Sequence, residues 1–531
     1  MASASQRFLG LDSSTQSLSA IVIDAQTGEV VANHGVAYGA RLPAYGSPHG
    51  FLPNPDPRVV HSDPLMWVEA LDLLLGELRE QGVDLSRVAG ISGAGQQHGS
   101  VYLGKSFDKA GTWSAARPLR DQVAPLLSRR TSPIWMDAST SAECAEIAAA
   151  VGGDARVTAL SGSRAIERFT GPQIRKFWKQ QPADYERTAE IHLVSSFMAS
   201  VLAGRSAGID PGDGAGMDLL ELGTGTWSQA LLDATAPGLA GKLRPPVPAS
   251  TVVGEIAPYF VEKYGFSPGT PVVAFTGDNP SSLVGMGAAL PGKVVVSLGT
   301  SDTIFAAMAA PRVDPRGYGH VFGNPAGGFM ALVCFANGSL AREEITRRFG
   351  LTWDDFARAI LTQTKPGNGG NMLLPFFAPE ITPRLTRPAV QWLGSDAFVA
   401  GKDAAGAARA VVEAQALSMR LHAAFIGETI DTLLVTGGAS RNPGILRVLA
   451  DVFQARIVPL AVANSSALGG ALRAAAAVGG ADWQGLFSRF CAPDVAHAVD
   501  PDLATQSVYA ELGREFEGRV DAAVASTFVK G

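Results

Sequence analysis

Phe8-Leu9-Gly10-Leu11-Asp12 breaks at Ser13-Ser14-Thr15-Gln16 and resumes at once as Leu18-Ser19-Ala20-Ile21-Val22-Ile23-Asp24. Far down the chain the same pattern returns: Val294–Leu298 turns through Gly299-Thr300-Ser301 into Thr303–Met308. A small, hydroxyl-rich turn between two apolar strands aims several backbone N–H groups and hydroxyls at one point, a geometry that holds a phosphate chain. One such turn reads equally well as a plain hairpin. Two of them, with acids at Asp12 and Asp302, point to a duplicated domain gripping a nucleotide between its halves.

The bulk properties suit that reading. A chain of 531 residues exceeds what one core supports, so two domains are expected. Lys and Arg number 43 against 49 Asp and Glu, a net charge of −6 with no basic block, which argues against nucleic acid and anionic membrane as partners. The start, Met1-Ala2-Ser3-Ala4-Ser5-Gln6-Arg7, lacks the charged and apolar regions of a secretory signal. Gly317–Ala341 carries no Asp, Glu, Lys or Arg and has the length of a membrane span, but Asn324-Pro325, Gly327-Gly328 and Asn337-Gly338 break it, leaving a strand at Phe329–Ala336. A cytoplasmic enzyme is the expectation. Cys144, Cys334 and Cys491 are odd in number and far apart, so they read as buried free thiols.

Between the two turns the chain reads as a third strand Glu29–Tyr38, a Pro- and Gly-rich loop 42–64, and a helix from Pro64. Asp63 is its N-cap, and Trp67, Leu71, Leu74 and Leu78 share one face. A strand Val88–Ser92 runs into the loop Gly93-Ala94-Gly95-Gln96-Gln97-His98-Gly99-Ser100. Residues 118–248 read as a loop-rich elaboration with a helix at Ile191–Ala203. After a boundary at Ala288–Gly292 come the strand Leu433–Thr436, the turn Gly437-Gly438-Ala439-Ser440, and a helix capped by Asn442 with Pro443 in its first turn. Ala467-Leu468-Gly469-Gly470-Ala471 is small enough for a closely packed helix, and a last helix carries Val508, Leu512, Phe516 and Val520.

One local cluster carries chemistry. In Phe275-Thr276-Gly277-Asp278-Asn279-Pro280-Ser281-Ser282 a buried strand Val272–Phe275 meets a helix start at Asn279-Pro280. Asp278 is then either a cap or a carboxylate held ionised by neighbouring amides as a base for a hydroxyl group. Its place just before the second phosphate turn favours the base.

Taken in order over nearly the whole chain, these segments resemble the FGGY carbohydrate kinases. So do Pro133-Ile134-Trp135-Met136-Asp137 and Gly162-Ser163-Arg164-Ala165-Ile166-Glu167-Arg168-Phe169-Thr170-Gly171. The resemblance implies an α/β chain with the duplicated actin-like, RNase H-like ATPase fold. Its sugar-binding domain would span 1–288, its nucleotide-binding domain 292–480, and a helical extension 481–531. It also implies ATP and Mg²⁺, and a ketopentose as acceptor: D-xylulose first, then D-ribulose, L-ribulose, another ketose or a polyol such as glycerol.

By this resemblance Asp278 is the catalytic base, and Asn279, Gln97, His98, Arg168 and Asp137 contact the sugar. Asp12, with Ser14 and Thr15, attends the metal and phosphates, with Asp12 as the metal ligand. Gly299, Thr300, Trp353, Gly437, Gly438 and Asn442 bind the nucleotide. The first turn departs from the Asp-Gly-Thr form common in the family, and no lysine follows at Ser17–Ala20.

Each residue has a competing role. His98 also reads as a loop histidine, Arg168 as part of a solvated cluster with Glu167 and Arg164, and Trp135 as core. Asp137 reads also as a cap and Trp353 as a helix-start staple. The alternatives of another class are an actin-like ATPase acting on protein and a sugar-binding regulator; a homodimer is left open.

Overall fold

A computed structural model describes residues 6–110 and 112–528. In the first half, β1 (Arg7–Ser13), β2 (Ser17–Asp24) and β3 (Glu29–Ala37) form an antiparallel meander. β4 (Val88–Gly95) then pairs parallel with β1, and β5 (Pro271–Val273) parallel with β4. The second half repeats this. β6 (Val294–Leu298), β7 (Asp302–Met308) and β8 (Phe329–Phe335) are antiparallel, and β9 (Thr432–Thr436) and β10 (Arg456–Pro459) extend the sheet in parallel from β6. Both sheets therefore run third, second, first, fourth, fifth strand, which is the duplication the two turns foreshadow.

Local signals account for much of the helical complement. α1 (Pro64–Glu80) starts where the Asp63 carboxylate accepts from Leu65 N at 2.9 Å, and it buries Trp67, Leu71, Leu74 and Leu78 against the first sheet. In the middle segment, α2 (Val194–Ala203) follows a strand Glu190–Leu193, so the helix expected from Ile191 begins three residues later. β-branched Ile191 and apolar Leu193 are used as a strand pairing with Ser100–Leu103. This segment has an apolar cluster of its own, built around residues such as Ile147, Phe177 and Leu231.

Other boundaries shift slightly. β3 stops at Ala37, and Tyr38 opens a short helical turn; β4 continues past Ser92 to Gly95; β5 ends at Val273. In the last long helix, Gln506–Phe528, the buried stripe is Tyr509, Leu512, Phe516 and Val520. Val508 stays 37% exposed, because a 3-4-4 spacing follows the helical period more closely than a strict four.

The halves meet through small residues. α3 (Asp278–Gly285) and α7 (Ser465–Val478) pack closely, and α7 lies on β1 and β4 of the first sheet. A Cβ on Gly10 would sit 1.9 Å from Ala467 O, and one on Gly469 would sit 1.9 Å from Ser281 O, so only glycine permits this approach. From α7, Arg473 reaches through to donate to Gly93 O at 2.9 Å and to Ala274 O. Among the described residues no helix is long and apolar enough to cross a membrane. The cysteines are free, with Cys144 and Cys491 buried and Cys334 only partly so.

Candidate active site

Strand register brings two carboxylates to one place. Ala94 and Gly95 at the end of β4 pair with Asp12 and Ser13 of β1 on one side and with Thr276 and Gly277 on the other. Asp12 and Asp278 therefore flank the same strand end, their backbones about 10 Å apart across two strand spacings. Gly277 is the N-cap of α3, so Asp278 is the first helical residue and is not the cap.

The Asp278 hydrogen bonds all fall on Oδ1, which accepts from Asn279 N at 2.8 Å, Asn279 Nδ2 at 3.0 Å and Gln97 N at 3.4 Å. That arrangement leaves Oδ2 without a hydrogen bond among the described residues. The expectation of a carboxylate held ionised is corrected here. Burial first, then the facing Asp12, push Asp278 up to about 7, and the amide bonds offset this only in part. A group poised there accepts a proton near neutrality with driving force in hand.

Asp12 is buried, and burial raises it to about 6 against the Ser14 hydroxyl, which donates to Oδ2 at 2.6 Å. Its Oδ1 is buried with no hydrogen-bond partner among the described residues. An orphaned carboxylate oxygen at this turn has the chemistry to fit a divalent cation that keeps its remaining positions for water and other oxygens. Thr15 Oγ1 accepts from Trp135 Nε1 at 2.8 Å, which puts Trp135, 44% exposed, at the rim of this turn and not in the core. Beneath it Tyr38 Oη lies 3.3 Å from Ser13 Oγ.

The loop after β4 supplies the wall next to Asp278. Gln97 Oε1 accepts from Asn279 Nδ2 at 2.7 Å, tying Gln97 and Asn279 together. His98 has φ 69°, a left-handed conformation that costs a non-glycine residue about 1 kcal/mol. Its ring stacks on Phe169, centroids 4.2 Å apart, and its Nδ1 lies 2.8 Å from Gly216 O. A carbonyl only accepts, so Nδ1 carries the proton and Nε2 is left as an acceptor. Burial, then Arg168, hold the His98 pKa down at about 3, so the ring is neutral.

Two sequence expectations change. Asp137 is fully buried, and its carboxylate accepts from Val60 N at 3.0 Å, Ser139 N at 3.0 Å and Gln173 Nε2 at 2.8 Å. That is scaffolding that ties the loop before α1 to the middle segment, so its placement does not meet the expected sugar contact. Asp302, read as the second turn's acid, is likewise occupied. Arg342 of α4 (Ser339–Phe349) donates to both its oxygens, at 2.7 and 3.0 Å, deep under the second turn. Asp12 lies one residue from the end of the first strand of its pair whereas Asp302 begins the second, so the repeat does not make them equivalent.

On the second half a cavity of about 660 Å³ is lined by Gly299, Thr300, Trp353, Gly438 and Asn442, so five of the residues picked for the nucleotide converge. Gly437 has φ 92°, and a Cβ there would lie 2.4 Å from Leu298 O, so the turn requires glycine; it lines a neighbouring cavity of about 910 Å³. Asn442 caps α6 (Pro443–Phe453), accepting from Gly444 N at 3.0 Å and Ile445 N at 3.1 Å, and its Nδ2 donates to Trp353 O at 3.3 Å. Trp353, 46% exposed, leaves an open ring face. Ser339, Glu343 and Arg441 also line this cavity, and no local pattern singles them out. Neither Asp12 nor Asp278 lines it.

Two like sheets, each opening on a strand-turn-strand pair and joined by closely packed helices, give the chain the duplicated two-domain, actin-like ATPase fold. The chain matches the model of the FGGY family of carbohydrate kinases, N-terminal domain, over residues 7–285, and that of the C-terminal domain over 294–478. It therefore belongs to the FGGY family of carbohydrate kinases.

Among curated relatives it is 43% identical over 519 residues to a xylulose kinase of Rattus norvegicus, covering 95% of this chain and 94% of that one. A xylulose kinase of Mus musculus is 42% identical over 516 residues, covering 95% and 92%. Among solved structures, the xylulose kinase from Rhodospirillum rubrum superposes with a TM-score of 0.83 at 22% identity over 98% of this chain and all of that one, a likeness of fold.

Proposed function

We propose that this chain transfers the γ-phosphoryl group of ATP to the terminal hydroxyl of a ketopentose, converting D-xylulose to D-xylulose 5-phosphate with release of ADP. The observation that carries the reading is Asp278. Its Oδ1 is held by three N–H donors, and its proton affinity is pushed up to about 7 by burial opposite Asp12. The xylulose kinases among its relatives support the choice of sugar.

In this reading the sugar half spans residues 1–288, the nucleotide half 292–480, and residues 481–531 extend the latter. The ketose lies against His98 Nε2, Arg168, Gln97 and Asn279. ATP enters the cavity beside Trp353, with its phosphates at the turns Ser13–Gln16 and Gly299–Ser301. Asp12 is the residue that would hold Mg²⁺, which when bound neutralises phosphate charge. Asp278 Oδ2 takes the hydroxyl proton as the sugar oxygen forms its bond to the γ-phosphorus and the bond from that phosphorus to the bridging oxygen of ADP breaks. Positioning by the two halves supplies much of the remaining acceleration.

The test is ADP release measured over a panel of pentuloses, hexuloses and polyols, with D-xylulose giving the highest kcat/KM. D-ribulose or glycerol ahead by tenfold would overturn the substrate, and ADP release indifferent to every sugar would overturn the kinase reading.

A further inference from the structure

The segment of the first half that carries Arg168 and Phe169 is braced by side chains of the second, and His320 reaches furthest into it; Arg384 pairs with Glu167 nearby. The strand His320–Gly323, at the edge of the second sheet beside β8, runs against the Gly162–Phe169 segment of the first half. Val321 N donates to Gly162 O at 3.0 Å, and a Cβ on Gly162 (φ 87°) would meet Val321 O at 2.7 Å, so this seam closes only over glycine. It delivers His320 into the interior, 2% exposed, with its Nδ1 3.1 Å from Ser163 Oγ and its Nε2 3.5 Å from Arg168 Nη2. Its ring lies 5.5 Å from Phe169 and 5.9 Å from Phe322, and Phe169 is the ring on which His98 stacks.

A guanidinium can only donate, so Nε2 of His320 is the acceptor, and Nδ1 carries the proton and donates to Ser163. The imidazole is thus one neutral tautomer with both nitrogens used, which is how a polar ring is tolerated in an aromatic cluster. Phenylalanine would fill the same space; what histidine adds is a bridge from the second half to Arg168.

We propose that His320 is a positioning residue for the ketose. It fixes the Arg168 guanidinium and the Phe169–His98 stack from across the seam, so that sugar recognition by the first half is set by contact with the second. This rests on the reading that Arg168 and His98 meet the sugar.

The test compares ketose and ATP kinetics of the wild type, His320→Phe, His320→Gln, Arg168→Ala and the double variant His320→Phe/Arg168→Ala. Wild-type enzyme without ketose-dependent ADP release would sink the kinase reading, and this inference with it. Given an active wild type, His320→Phe should raise the ketose KM at least about fivefold, the effect of losing one ordinary hydrogen bond, since the 3.5 Å contact to Arg168 is long. The KM for ATP should stay within twofold.

His320→Gln, which can still accept from Arg168, should recover most of the loss, and in the Arg168→Ala background His320→Phe should add nothing. A ketose KM within twofold of wild type, parallel rises for both substrates, or additive effects in the double variant would overturn the proposal. If His320→Phe does not fold, Ser163→Ala decides. It removes only the hydroxyl that holds the tautomer, and it should raise the ketose KM at least about threefold; an unchanged value refutes the positioning role.

Discussion

Replacing Asp278 by Asn should cost the enzyme its rate and make it more stable. The introduced amide has an oxygen that can accept the bonds from Asn279 and Gln97 that now fall on the carboxylate, so local geometry should persist. What changes is the charge. Burial and Asp12 lift the folded-state pKa of Asp278 from 3.8 to about 7. The folded protein therefore binds more protons than the unfolded chain between about pH 4 and 7, and stability falls as pH rises through that window. A shift of that size corresponds to about 4 kcal/mol at full strength; Asp278 is only half-buried, and solvent screening reduces this to about 2 kcal/mol.

The variant, which has no such penalty, should melt a few °C above wild type at pH 8, and that advantage should vanish near pH 4. Loss of the base should lower kcat by roughly 10²–10⁴. The assays are ketose-dependent ADP release and melting curves from pH 4 to 8. A variant within tenfold of wild-type kcat, or a melting difference independent of pH, would refute the assignment of Asp278 as a half-buried, near-neutral base.

The kcat/KM for the ketose should climb with a slope of one in log units as pH rises through about 7 and then level off, since proton acceptance needs the ionised carboxylate; a flat profile from pH 5 to 8 counts against it. Trp353→Ala removes the open ring of the 660 Å³ cavity and should raise the KM for ATP about 3–12-fold while leaving that for the ketose within twofold, whereas equal changes would move the nucleotide elsewhere. Asp12→Asn should shift the Mg²⁺ concentration for half-maximal rate up at least about tenfold, and an unchanged Mg²⁺ titration would remove Asp12 as the ligand. Arg342→Met strands the buried Asp302 carboxylate and should cost about 3–5 kcal/mol in denaturant unfolding; a loss under about 1 kcal/mol would show the pair to be dispensable.

Features that depend on a few neighbouring residues were legible before folding was considered. Both strand-turn-strand pairs and the caps at Asp63 and Asn442 are settled by hydrogen bonds within about four positions, so they could be read directly, whereas the need for glycine at Gly437 comes from Leu298 far away in the chain. The small run Ala467–Ala471 announced a close helix contact, but not that its partners would be Gly10 and Ser281, hundreds of residues earlier.

The roles of the acids emerge only in the folded chain. Asp12, Asp137, Asp278 and Asp302 all sit in turn-like surroundings in the sequence. One is left with an orphaned oxygen, one is consumed by Val60, Ser139 and Gln173, one is pushed up to about 7, and one is locked to Arg342. His320 gave no local sign at all, because its meaning lies in Ser163 and Arg168 across the seam. Proton affinity and hydrogen-bond saturation are set by what surrounds a group in three dimensions, and for these residues the surroundings come from segments far away in the chain.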